Sequence, residues 1–245
     1  MAKDFSLVPT AFTEERSSDG RATTIRQMVF GMNDGLVATV GLVTGLIFSG
    51  SSRTVILAAT LAAIIAAVSS MALGSFLATK TEVEYLKAQI QQESRELEED
   101  PEQELDEMRQ IYRRYGFLDA ETEILLARLK ADKTLWLQLM LRDELGILPE
   151  SFENPWSNAG WMALAVALGS LPPLLPIMLG SQPKEALIWV IGLSALTAFG
   201  LGGVTATVTA NRWWRAGISF LLVATIAALI GMGAGTLIAP LLSSH

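Results

Sequence analysis

The stretch QMVFGMNDGLVATVGLVTGLIF, Gln27 to Phe48, decides how this chain folds. It holds 22 residues and one charge, Asp34. As a helix it would rise about 33 Å at about 1.5 Å per residue, enough to cross a hydrocarbon core of about 30 Å. Working outward, the pattern repeats. From Gln27 to Thr79 the only charges are Asp34 and Arg53, and from Ala159 to Ala210 they are Lys184 and Glu185. From Ala216 onward there are none among Asp, Glu, Lys and Arg. The chain is 51% hydrophobic and yet 18% charged. Those figures fit together because the charges are segregated, which excludes an ordinary water-soluble globule.

Backbone groups in lipid must be satisfied within their own segment, so these runs are read as helices. Five spans are expected: about Gln27–Phe48, Thr54–Thr79, Ala159–Leu179, Glu185–Thr209 and Ala216–Leu241. The fold class is therefore all-α, a polytopic membrane protein with five transmembrane helices and a helical domain between spans two and three. The expected organisation is a polar N-terminal tail (1–26), spans one and two (27–79), a Glu-rich domain (80–158) and spans three to five (159–245). The tail has no apolar core and no cleavage site, so no signal peptide is expected and the first span serves as the insertion signal. With no cysteine in the chain, disulfides, thiolate metal sites and cysteine nucleophiles are excluded.

Basic residues set the orientation. The tail carries Lys3, Arg16, Arg21 and Arg26, the Glu-rich segment ten Lys and Arg, and the turn after span four Arg212 and Arg215. The opposite side carries only Arg53 and Lys184. The tail and the Glu-rich domain are thus expected in the cytoplasm. Trp156, Trp161, Trp213 and Trp214 sit near span ends, as interfacial anchors do. In span one, Gly31 with Gly35 and Gly41 with Gly45 form GxxxG pairs, which serve helix packing within the chain or a dimer contact. Pro172, Pro173 and Pro176 should bend or break span three.

Within 80–158, the run Glu82–Leu97 extends span two. Asp100-Pro101 reads as an N-cap followed by proline at the first helical position, opening a helix that ends at Gly116. Further helices are expected over Ala120–Lys130 and Lys133–Leu145. Glu93 and Glu96 are three apart, as are Glu104 and Glu107, and the second pair follows the first by eleven residues. Eleven residues return to within about 20° of the same helix face. In an unbroken helix the pairs would share a stripe yet lie too far apart along the axis for one ion. Each would need a further carboxylate, for which Glu144, one turn after Met140, is the candidate. Carboxylates suit hard or borderline divalent ions; the alternative is an acidic solvated face. Asp34, a carboxylate inside a span, is costly and marks a cavity or an ion path. It can hold a proton or a metal. Met71 offers a thioether at membrane depth, or packs.

The motifs Phe30-Gly31-Met32-Asn33-Asp34-Gly35-Leu36, Ser70-Met71-Ala72-Leu73-Gly74-Ser75-Phe76, Leu135-Trp136-Leu137-Gln138-Leu139-Met140 and Asp143-Glu144-Leu145-Gly146, in that order, resemble the vacuolar iron transporter family over about residues 25–240. The resemblance implies a homodimer of five-span subunits that exports ferrous iron, with manganese as a second substrate, from the cytosol in exchange for protons. It implies a path along Asp34 and Met71, and a cytoplasmic metal-binding domain that uses Glu93, Glu96, Glu104, Glu107, Met140 and Glu144. Two positions depart from the family pattern. Leu141 stands where some members are acidic, and Ala62-Ala63-Ile64 stands where some carry a glutamate. No prosthetic group, enzymatic activity or nucleic-acid partner is expected, and the membrane is a prokaryotic cytoplasmic or a vacuolar one. The competing expectations are a membrane-bound metal sensor without transport and a scaffold whose acidic helices bind a basic protein.

Overall fold

A computed structural model describes residues 13–147, 152–180, 182–209 and 212–242. Lys3 and His245 lie outside them. Among the described residues the chain forms eight helices: α1 (Thr13–Phe48), α2 (Arg53–Glu99), α3 (Pro101–Arg114), α4 (Asp119–Ala131), α5 (Lys133–Asp143), α6 (Pro155–Met178), α7 (Pro183–Thr209) and α8 (Trp213–Leu242). Five of them, α1, α2, α6, α7 and α8, contain stretches long and apolar enough to cross a membrane. The chain is a multi-pass integral membrane protein. It divides into two compact units, Met1–Phe76 with Pro155–His245, and Leu77–Asn154.

In the first unit α1 is the central element. It packs most extensively on α6 and α8, and α8 also packs on α7. Glycine decides how closely. A Cβ on Gly35 would stand 2.3 Å from the Val166 carbonyl oxygen, and one on Gly169 would stand 2.0 Å from that of Met32. Further along α1, a Cβ on Gly231 would meet the Gly41 carbonyl at 2.0 Å, and one on Gly235 the Gly45 carbonyl at 2.1 Å. Both GxxxG pairs of α1 are therefore used inside the chain, the first against α6 and the second against α8. Around these contacts Val40, Val43, Ile47, Ile56, Ile177 and Val190 form a buried cluster. Three buried hydroxyls bond within their own helices: Thr44 Oγ1 donates to the Val40 carbonyl at 2.7 Å, Ser170 to Val166 at 2.8 Å and Ser194 to Val190 at 2.6 Å. Helical geometry thus supplies the partner that lipid does not.

The expected break in span three does not occur. Pro172, Pro173 and Pro176 lie inside a helix that runs unbroken to Met178. Each proline removes one donor, a loss that neighbouring helices make tolerable in membranes. The end of α6 is held by Arg53, whose Nε donates to the Ile177 carbonyl at 2.9 Å and whose Nη2 donates to that of Met178 at 3.0 Å. A cation at a helix C-terminus also opposes the negative end of the macrodipole.

The second unit is a small bundle. Leu97, Leu105, Met108, Ile111, Leu129, Trp136 and others make its core. Asp100 caps α3 as its sequence suggests, accepting from the Gln103 amide at 3.3 Å, with Pro101 in the first turn. The α3 helix stops where Gly116 takes φ 95°, a conformation that favours glycine. Exposed ion pairs, Arg109–Glu123, Arg113–Asp119 and Lys130–Glu102, join α3 to α4 and its approach. Such pairs contribute only about 0.2–1 kcal/mol each, so the apolar core carries the bundle.

Gly231→Ala should destabilise the membrane unit by about 1–3 kcal/mol, the usual cost of overpacking. Gly233→Ala, where an added Cβ meets nothing within 4 Å, should be neutral or slightly stabilising. Unfolding midpoints in detergent check this, and equal losses for the two would rule out the α1–α8 contact.

Candidate metal site and membrane carboxylate

Three carboxylates converge in the second unit. Glu93 on α2, Glu104 in the first turns of α3 and Glu144 just past α5 each offer an oxygen, and these oxygens all lie within 4.8 Å of one another. On one straight helix, eleven residues would separate Glu93 and Glu104 by about 16 Å. The break at Asp100-Pro101 is what brings them together, by folding α3 back so that Leu97 and Leu105 share a core. The stripe expected of a continuous helix is thus replaced by a closer arrangement: one glutamate from each pair joins Glu144 around a single point. Glu96 and Glu107 are half-buried beside it. Glu96 accepts from the Gln92 amide at 3.0 Å and Glu107 from the Gln103 amide at 3.1 Å. Met140 is wholly buried within the apolar core, so its packing role is evident in the fold.

The electrostatics are those of carboxylates crowded and partly withdrawn from water. Glu93 and Glu104 are buried, 6% and 3% exposed. Among the described residues the ion pairs of this unit use Glu84, Glu102, Asp106, Asp119, Glu123 and Asp143, and none uses Glu93, Glu104 or Glu144. Glu104 Oε2 is buried without a hydrogen-bond partner. Burial pushes the Glu104 carboxyl up to about 7, helped by Glu107, Glu93, Glu96 and Asp100. The Glu144 carboxyl is likewise pushed up to about 7, by desolvation first, then by Glu93, Glu107 and Glu104, with a hydrogen bond to Glu107 favouring its protonated form. Glu144 is exposed as a residue, so the desolvation acts on the part turned toward the cluster. Burial and the charges of Glu96 and Glu107 raise Glu93 as well. A divalent cation would relieve each of these penalties at once. Oxygens at this spacing can close on an ion bound at about 2.1–2.4 Å, and an all-carboxylate donor set suits borderline or hard ions such as Fe2+ and Mn2+.

In the membrane unit Asp34 is half-buried on α1 and Met71 half-buried on α2. These two helices share little packing within one chain, so the fold does not gather Asp34 and Met71 as it gathers the glutamates. Gly31 and Gly35, on either side of Asp34, are closed against Met162, Ala165 and Val166 of α6. Asn33 Oδ1 and Gln27 Oε1 are buried and accept no hydrogen bond. Neither was singled out in the sequence, where their only signal was polarity within the apolar run.

The fold defines the class, a multi-pass integral membrane protein with a carboxylate cluster in a separate helical unit. Residues 25–236 match the VIT family, and the chain belongs to it. It is 33% identical over 178 residues to vacuolar iron transporter 1 of Arabidopsis thaliana, covering 72% of this chain and 71% of that protein. It is 29% identical over 223 residues to vacuolar iron transporter 2 of Oryza sativa subsp. japonica, covering 90% and 89%.

Burial and neighbouring carboxylates push Glu104 and Glu144 up to about 7 in the fold, from an ordinary glutamate value of 4.5. The metal-free second unit should therefore be most stable below about pH 4.5 as far as these groups are concerned, and should lose that contribution as pH rises through about 7. Hydrogen exchange over residues 77–154 in full-length protein with chelator should show less protection at pH 8 than at pH 5. Glu104→Gln should flatten the difference. A divalent ion at a hundred times its Kd should restore about 2.7 kcal/mol at pH 8. Protection that is independent of pH and metal would dismiss the site.

Proposed function

We propose that this chain is a proton-coupled transporter that moves ferrous iron, with manganese as a second substrate, out of the cytosol. The observation that carries the reading is the convergence of Glu93, Glu104 and Glu144 on one point, without a basic partner, in a protein whose membrane unit holds a carboxylate at Asp34. The names of the relatives, vacuolar iron transporters, support the same metal and the same kind of activity.

In this reading residues 80–158 form the cytoplasmic metal-binding domain and residues 27–79 with 159–245 form the membrane part, with the N-terminus also cytoplasmic, in a vacuolar or a prokaryotic cytoplasmic membrane. Glu93, Glu104 and Glu144 take the ion, with Glu96, Glu107 and Met140 beside them. Asp34 and Met71 pass it across. Asp34 alternates between metal and proton, which couples the two flows, since a charged group held at membrane depth is stable only with a partner. The working unit is a homodimer. Only 11% of the most apolar window of α2 is buried within the chain, against 50% for α6. Leu61, Ile65, Leu73 and Leu77 of α2 stand exposed, a face available to a second copy whose Asp34 and Met71 would complete the path.

Ferrous ion uptake into proteoliposomes should follow an imposed pH gradient and fall at least tenfold in Asp34→Asn, with metal binding by the second unit retained. Retained binding with no transport in the wild type would favour the sensor reading. Transport that persists without a gradient would remove the proton coupling.

A further inference from the structure

Helix α4 carries two apolar faces. At about 100° per residue, Thr122, Leu126 and Leu129 share one side of it. All three are buried, the two leucines within the core of the second unit. Ala120, Ile124, Ala127 and Ala131 fall within about 60° of one another on the opposite side. All four are exposed, Ile124 at 71%. One apolar stripe is enough to join a helix to its core. The second stripe has the four-three-four spacing of a coiled-coil seam and lies open. Its edges are charged in a fixed order. Glu121 and Arg128 stand seven residues apart along one edge, and Glu123 and Lys130 seven apart along the other. On both edges the acid is nearer the N-terminus of the helix and the base nearer its C-terminus.

We propose that this face packs against the same face of a second copy of the chain, with the two α4 helices antiparallel about a two-fold axis between Ile124 and Ala127. Such an axis lays Ile124 on the partner's Ala127 and Ala120 on the partner's Ala131, so the seam closes along the helix. It also sets Glu121 opposite the partner's Arg128, and Glu123 opposite the partner's Lys130. Every charge on the two edges then meets its opposite. A parallel pair would match only Glu123 with the partner's Arg128. Charges beside a seam select partner and direction in this way. Among the described residues Arg128 makes no ion pair within its own chain, while Glu123 and Lys130 already hold Arg109 and Glu102. Their meeting across the axis would extend those pairs into a row of alternating charge. Alanine at three of the four seam positions lets the helices come close. Two helices of 13 residues bury less than the roughly 1,200 Å² of a stable complex. The contact therefore forms between copies held in one membrane, where the effective concentration is high. It is a self-contact additional to the α2 face, and it rests on the fold of the second unit and not on the transport reading.

The chain has no cysteine, so disulfide trapping of the full-length protein in its membrane tests the contact cleanly. Oxidation of Ala120→Cys/Ala131→Cys should give covalent dimers, because each new thiol meets the other one on the partner. The two positions stand about 16 Å apart along one helix, too far for a bond within the chain. Ala120→Cys alone and Ala131→Cys alone should give at least fivefold fewer dimers, since each thiol then faces an alanine. Arg128→Glu, and separately Ile124→Glu, added to the double variant should lower its yield at least fivefold. Both are exposed positions outside the carboxylate cluster. Glu121 is left intact, because its Oε2 accepts from the Leu118 amide at 2.8 Å. No dimers from the double variant would overturn the proposal. So would dimers formed equally by Ala120→Cys alone, the mark of a parallel or chance contact, and so would a yield indifferent to both glutamate substitutions. Ferrous ion uptake by the same variants reads the transport proposal separately.

Discussion

Close approach of backbone to backbone at α1 is the contact on which the membrane unit depends. Apolar side chains gain little by leaving lipid for one another, so helix association in a bilayer rests on packing. Here packing is set by pairs of glycines whose missing Cβ atoms leave room for carbonyl oxygens of the neighbouring helix. Because the first pair serves α6 and the second serves α8, one helix organises two partners on different faces.

The second unit works by an opposite principle. Its core is ordinary, but at its edge it concentrates carboxylates without matching cations. Burial and mutual repulsion raise the Glu93 carboxyl and push those of Glu104 and Glu144 up to about 7, which favours the protonated forms. A divalent ion binding there would compete with protons for the same oxygens.

The five membrane-length helices were legible from charge segregation alone, and the capped start of α3 from Asp100-Pro101. The glutamates were legible as residue types and pairs. Their convergence was not, because helical phase places Glu93 and Glu104 on one stripe but says nothing of how far a break folds the chain back. Of the bend or break expected in span three, the break does not occur: proline chemistry predicts a lost hydrogen bond, while continuity depends on the surroundings of the helix. The role of Gly31, Gly35, Gly41 and Gly45 was open between internal and intermolecular contact, since the GxxxG spacing is the same for both. The orphaned oxygens of Asn33 and Gln27 became visible only once their surroundings were known.

The partners of α1 are encoded far downstream, which matters for how the protein is made. Gly31 and Gly35 meet residues around 166, and Gly41 and Gly45 meet residues around 231 and 235. At synthesis rates of about 5–20 residues per second, α1 leaves the ribosome roughly ten to forty seconds before α8 does. During that interval Gly41 and Gly45 have no final neighbours. The insertion machinery must therefore shelter the most polar helix of the bundle longest, and truncation anywhere before α8 leaves α1 without half of its seat.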